Sequence, residues 1–568
     1  MKQCNIQVVG KGVARLLTGL VMVGMLAGCG TETPEATSPV PPAAPSAGQV
    51  GAAKTYKVSF YAASRFAEQA SFGPTPALVE ELRTKGFEQW IDEQFALAPT
   101  LMDPAPIQIY RNFMVTPLTD WEFSYPAREV QRLYIGAPDQ LRLRVSWAIS
   151  QWVVIGRKSD VQSRPFWFNL LQTHALGQYG PLLRAVSVDP GMAYFLDNNQ
   201  NRPKSTECPW CAPNENYARE LMQLFSLGVQ QLNLDGTPKR DHRGRILETY
   251  TQTDVEEMAR VLTGWIHNQD YTGVQKEYNW GNWAKPMVPS TWPLDRDSGQ
   301  KKVLGRTFPA GQSHDKDLDD AIALLMGHSN TAPFVALRLI QHLVMSDPSP
   351  DYVRRVATVF QDNGKGVAGD MKATVKAVLL DPEARRADDP TLVSRAGKFR
   401  EPMLWFVGAW RGLGCTKNIL SNGQYLWTPQ AFAEAPNVFS YYLPTDRAPG
   451  SNLLAPEQRL AVPAEMRERL GRLDWWLAGP NGSGPTEKNL SDAGCEIQLF
   501  TQSFQTSPQA FADLLSNRFF RGAMPPTLRA NLAQRMKGNP TWNVNFPASG
   551  AMVLTSFALT TPYYGVQK

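Results

Sequence analysis

The chain has 568 residues, with 57 Lys and Arg against 52 Asp and Glu, and a formal net charge of +5. Its first 28 residues hold Lys2, Lys11 and Arg15 and no acidic side chain, which leaves 5 − 3 = +2 for the remainder. A balance so near neutral excludes the electrostatic footprint of a nucleic-acid binder, while the length is ample for a substantial core.

The first predicted element is an export signal. Behind the cationic opening runs an apolar stretch from Leu16 to Leu26, too short for a bilayer span of about 20 apolar residues. It meets Leu26-Ala27-Gly28-Cys29, a lipobox-like string whose small residues expose the bond before a cysteine to be lipidated. Residues 1–28 read as a lipoprotein signal peptide and Cys29 as the lipid-bearing terminus; an ordinary signal peptide with a coincidental cysteine is the alternative. Gly30 in place of Asp favours the outer membrane, with the body facing the periplasm or the surface. Residues 29–54, rich in Pro, Ala, Ser and Thr, cannot bury enough apolar surface to offset ordering entropy and read as a flexible tether.

Residues 55–568 read as a mainly α, multi-helix body, in one large domain or two packed subdomains. Leu78, Val79, Leu82, Phe87, Trp90, Ile91 and Phe95 have helical spacing across Pro76 to Phe95, broken at Gly86 into two short helices. Glu215 to Leu227 forms an apolar stripe with Asn214 as N-cap and Gly228 as terminator. A β-hairpin is expected from Gln231 to Arg245, turning at Asp235-Gly236. Thr253 and Glu256 look like the capping box of the next helix, which ends at Gly264. Trp265 to Thr307 is a long irregular, Trp-rich insertion. Further helices are expected over Asp317 to Met326, Thr331 to Val344, Ser349 to Gln361, Asp370 to Leu380, Leu404 to Arg411 and Pro463 to Leu477.

Familiar chemical motifs fail on their context. Gly364 to Gly369 matches G-x-G-x-x-G but follows a helix rather than a strand, so it reads as a helix–helix turn. Asp315 to Asp319 resembles a calcium loop, yet Asp320 and Met326 stand where Gly and Glu are needed; the acids suit a helix N-terminus. The histidines show no zincin or di-iron spacing, and no G-x-S-x-G elbow occurs. No metal and no cofactor is expected. Beyond Cys4 and Cys29, Cys208, Cys211, Cys415 and Cys495 remain as disulfide candidates for an oxidising compartment. Cys208-Pro209-Trp210-Cys211 favours a local disulfide, with a redox pair or a four-cysteine zinc site as the other readings.

The helix opening Pro213-Asn214-Glu215-Asn216-Tyr217-Ala218-Arg219-Glu220-Leu221 resembles the domain-of-unknown-function 1800 family. The likeness continues in Phe66 to Pro74, Leu141 to Ser150, Leu182 to Asn201, Gln230 to Asp235, Ala259 to Trp265, Asp347 to Gly369, Lys398 to Pro402, Pro436 to Leu443, Ala455 to Glu457 and Pro562 to Lys568. It covers the chain from about residue 60 onward. Arg296-Asp297 stands where the family often has His-Asp, so no role for that histidine carries over. The resemblance implies a fold but no reaction.

Two constellations are candidates for function. Glu215, Tyr217, Arg219 and Glu220 on one helix, with Asp254, Glu257 and Arg260 on the next, offer carboxylates and arginines for a polar ligand or acid–base work; an ion-pair network fixing the helices is the alternative. Arg142 and Arg144 fit either version. Trp265, Trp280, Trp283 and Trp292, with Trp147, offer a possible sugar-stacking surface, the alternative being core. The leading functional reading is a lipid-anchored envelope protein that binds or scaffolds a partner protein or glycan. A carboxylate-based or metal-assisted hydrolase at the Asn-Tyr-Ala-Arg-Glu helix and a purely structural lipoprotein are the other two.

Overall fold

A computed structural model describes residues 55–107, 119–270, 282–392, 396–417, 428, 430–478 and 487–568. The expected signal peptide, Cys29 and the tether lie outside them, as does Trp280. The described chain is mainly helical, with three small antiparallel sheets of two strands each: Trp265–Ile266 with Val288–Pro289, Lys301–Val303 with Arg306–Phe308, and Lys398–Phe399 with Val566–Gln567. No helix among the described residues is long and apolar enough to cross a membrane.

Local signals set many of the helix boundaries. Pro76–Lys85 and Phe87–Ala96 are separate helices because Gly86 between them has φ 84°, a conformation open to glycine. Their buried stripe is Leu78, Val79, Leu82, Trp90 and Ile91. Ser313 caps His314–Gly327, whose first turn carries Asp315 and Asp317. The Gly364 to Gly369 segment is the turn between Pro350–Gln361 and Met371–Leu380. Pro402–Gly412 and Pro463–Ala478 also form where helices are expected.

Two expectations shift in register. The helix after Asn214 is shorter, Asn216–Gln223, and its N-cap position is Glu215, with no side-chain cap bond; Asn214 instead accepts from the Asn216 N–H at 2.9 Å. The next helix spans Gln252–Val261 and is boxed by Thr251 and Asp254, not by Thr253 and Glu256. Thr-x-x-acid occurs in both registers. The earlier one wins because Asp254 then also accepts the Leu304 N–H at 2.7 Å, tying the helix to the Lys301–Phe308 hairpin.

The hairpin expected at Gln231 to Arg245 is present as isolated bridges, Leu232 with Pro238 and Arg240 with Ile246, with Gly236 at φ 78° in its turn. The insertion from Trp265 to Thr307 is less irregular than expected, since it contributes to two of the small sheets and a short 3-10 turn at Pro293–Asp295. All four candidate cysteines are in disulfides, Cys208–Cys211 as expected and Cys415–Cys495, a pairing the sequence left open.

The centre of the body is built from helices buried on every side. All ten residues of Gln140–Ile149 are buried, Arg142 and Arg144 included. Thr331–Leu343 packs against it and against Pro350–Gln361 and Met371–Leu380. The end of the chain closes this core: Val566–Gln567 pairs with Lys398–Phe399, and the Gln567 amide donates to the Leu343 carbonyl at 2.8 Å. That closure brings Lys398 and Glu401 beneath the C-terminal turn of Thr331–Leu343.

Candidate functional site

A cleft opens over that turn. Arg338 and His342 are four apart and so share one face of the Thr331–Leu343 helix. Gln151 and Trp152 enter from the residues after Gln140–Ile149, Leu224 from the end of the Asn216–Gln223 helix, and Phe439 and Tyr442 from the irregular segment before Pro444. The water-accessible volume is about 40 Å3. About 10–15 Å3 suffices for one water, so the cleft admits a few waters or a group the size of a carboxylate.

The imidazole of His342 is sandwiched between two rings, Trp152 at 5.6 Å and Tyr442 at 6.1 Å, both close to parallel. Trp152 is itself locked, its indole N–H donating to Tyr179, which donates on to the Phe225 carbonyl. Below lies a buried network centred on Glu401, which accepts from Lys398 at 2.7 Å and from Gln430 at 2.5 Å. His342 Nδ1 is 3.9 Å from Glu401 and 3.5 Å from the Tyr442 hydroxyl. The His342 carbonyl receives Arg144 and Lys398. Glu457 binds Ser346 and the Phe399 N–H, fixing the strand that carries Lys398.

The electrostatics follow from burial and pairing. Burial pushes His342 down to about 4, so it is neutral near pH 7. Burial raises Tyr442 well above the usual phenol range, keeping its proton. For Glu401 burial opposes ionisation, but the Lys398 ammonium beside it holds it well below the usual carboxylate range. Arg338, lowered by burial to about 10, is still cationic. Its guanidinium lies over Phe334 at 4.7 Å and donates to Gln341 at 3.3 Å, with no carboxylate partner among the described residues. The cleft therefore presents one uncompensated positive charge between aromatic walls.

The seven charged and polar residues singled out in the sequence divide among separate contacts. Glu215 and Arg219 pair at 2.7 Å with Gln252 between them. Asp254 caps its own helix. Arg260 joins Glu257 at 2.6 Å and Asp297 at 2.7 Å, pinning the insertion to the Gln252–Val261 helix. Tyr217 is buried and donates to Ser187. Glu220 alone is left over: it is buried, Oε2 has no partner among the described residues, and burial, against a weaker pull from Arg219, raises it to about 7. Arg142 binds the Gln172 and Leu97 carbonyls.

Most of the described tryptophans singled out in the sequence lie in the core. Trp147, Trp265 and Trp283 are buried, and among the described members only Trp292, 53% exposed, could stack on a ligand. Among the described residues no group of three or more His, Cys, Asp or Glu is placed to hold a metal ion.

A family model described as a protein of unknown function (DUF1800) matches residues 65–566. The chain belongs to the DUF1800 family. No curated protein and no solved structure matches it. In this DUF1800 chain Arg296 donates to the Val261 and Thr263 carbonyls and to Asp317, while Asp297 holds Arg260. The pair thus ties down the insertion.

Sequence reasoning missed Arg338, His342, Glu401 and Tyr442 as site residues of the DUF1800 body, although Lys398 to Pro402 and Pro436 to Leu443 carried the family resemblance. A signal existed. Arg338, Gln341 and His342 interrupt a helix that is otherwise almost wholly apolar, and Lys398 and Glu401 flank Phe399 and Arg400 just before the Pro402 helix start.

Proposed function

We propose that this protein is a lipid-anchored envelope binding protein whose cleft takes up a carboxylate borne by a glycan or protein of the envelope. The observation that carries the reading is Arg338, a cation at the wall of an aromatic cleft with no acidic partner among the described residues. Arg338 is half-buried at the cleft wall, so its guanidinium is open to an anion from outside, and its fork geometry matches a carboxylate. Neutral His342 and protonated Tyr442 add donors and ring faces rather than a base. Anchoring rests on Leu26-Ala27-Gly28-Cys29.

The test is thermal melting with glucuronate against uncharged glucose. Glucuronate should raise the melting temperature of the wild type by a few degrees, since a hundredfold excess over Kd adds about 2.7 kcal/mol. Glucose should not, and Arg338→Met should abolish the response. Equal effects of the two sugars, or an undiminished response in the variant, would refute the reading.

An acid–base role near the Asn-Tyr-Ala-Arg-Glu helix is the second reading, favoured by the unpartnered, raised Glu220 carboxyl.

A further inference from the structure

Residues 230–248 form a finger of three short chain passes. Its pairing runs through Gln230 with Glu248, Leu232 with Pro238, and Arg240 with Ile246. The base is firmly held. Asn330, wholly buried at the start of Thr331–Leu343, donates to the Leu227 and Gln230 carbonyls and to Thr249 Oγ1, and accepts from the Leu232 N–H. Leu232 and Leu234 pack on the core. Beyond Lys239 the finger leaves the body, and Arg240, His242, Arg243 and Arg245 are all exposed.

The tip is ordered by one carboxylate. Asp241 accepts the Arg243 N–H at 2.8 Å, the Arg245 N–H at 2.9 Å and the Arg245 side chain at 2.8 Å. Arg240 donates to the Gly244 carbonyl. From Lys239 to Arg245 four cations meet one anion, a net 4 − 1 = +3, whereas the whole chain after residue 28 sums to +2. With Asp235 and Glu248 the finger as a whole sums to 4 − 3 = +1, so its excess positive charge lies at the exposed tip. Like charges held together at an exposed tip repel one another, and the Arg245–Asp241 pair and the Arg240–Gly244 bond secure only the shape of the tip, not the packing of the body.

We propose that this finger docks on an anionic phospholipid surface, its arginines pairing with lipid phosphates. The choice of a bilayer over another polyanion rests on the anchoring part of the proposed function, which would keep the body beside a leaflet. The finger is separate from the Arg338 cleft, so either assignment can fail alone. Near an anionic leaflet each cation contributes about fivefold in affinity, and the attraction is screened by salt.

The experiment places a fluorophore on His242→Cys in the full chain as exported by the cell, the four body cysteines being paired. Headgroup-quencher vesicles of phosphatidylglycerol and of phosphatidylcholine are compared. Quenching should be deeper with phosphatidylglycerol than with phosphatidylcholine, into which the lipid anchor also inserts; the excess should fade with added salt and weaken about 25-fold in Arg240→Gln/Arg243→Gln, with melting temperature unchanged because the tip packs against nothing. Equal quenching by both lipids, or by the double variant, would overturn the proposal. So would absence of quenching, and arginine-dependent retention on heparin in that case would reassign the finger to an acidic glycan.

Discussion

Burial holds the Glu220 carboxyl protonated up to about pH 7, and the consequence is a stability that depends on pH. The unfolded chain ionises this group near pH 4.5, whereas the folded chain does so only near 7. Between those values the unfolded state has fewer protons, so stability falls as pH rises and the loss is complete above about pH 7. Glu220→Gln, which keeps the shape without the charge, should therefore melt higher than wild type at pH 8, by an amount up to about 3 kcal/mol. The two should converge below pH 4.5. Asp189, also raised by burial to about 7, leaves its own slope in both proteins. A variant less stable at pH 8 would show instead that the charged form has a partner.

At the scale of elements, caps decide where helices begin and tertiary contacts choose between competing caps. Thr251→Ala should cost about 1 kcal/mol in chemical denaturation, the usual loss on removing an N-cap. Thr253→Ala, at a solvent-exposed position within the first turn, should stay within about 0.5 kcal/mol. The reverse order would mean that the helix starts in the later register. Sequence periodicity found the helices with one wet face, such as Pro76–Lys85 and Pro350–Gln361. It overlooked Phe60–Ala70 despite the stripe Ala63, Phe66, Ala67 and Ala70, and treated Gln140–Ile149 only as a family likeness, because a helix buried all round has no apolar stripe to find.

Across the whole molecule, Cys415–Cys495 closes a loop of 80 residues, while Cys208–Cys211 closes a turn of three. Chain-entropy reasoning assigns about 4–5 kcal/mol to the long loop and about 2 kcal/mol to the short one. Denaturant midpoints of Cys415→Ser/Cys495→Ser and Cys208→Ser/Cys211→Ser should rank accordingly, with the larger loss in the first pair. Equal losses would show that strain or residual structure, rather than loop length, sets their contributions.

The sequence by itself determined what depends on neighbours along the chain. The helical class, the break at Gly86, the turn at Gly364 to Gly369, the acidic start of His314–Gly327 and the family likeness all come from residues a few positions apart. The two constellations chosen as candidate sites were chosen the same way, and the described members are mostly ion-paired side chains and core tryptophans, with Glu220 and Trp292 as exceptions. Arg219 and Arg260 each have a carboxylate within four positions, which is enough to neutralise them locally. Only the tertiary structure decided the cleft. His342, Glu401 and Tyr442 are spread over a hundred residues and meet because Val566–Gln567 pairs with the strand carrying Lys398. Whether a charge is unpaired, as for Arg338 and Glu220, is a property of everything packed around it, and no spacing along the chain records that.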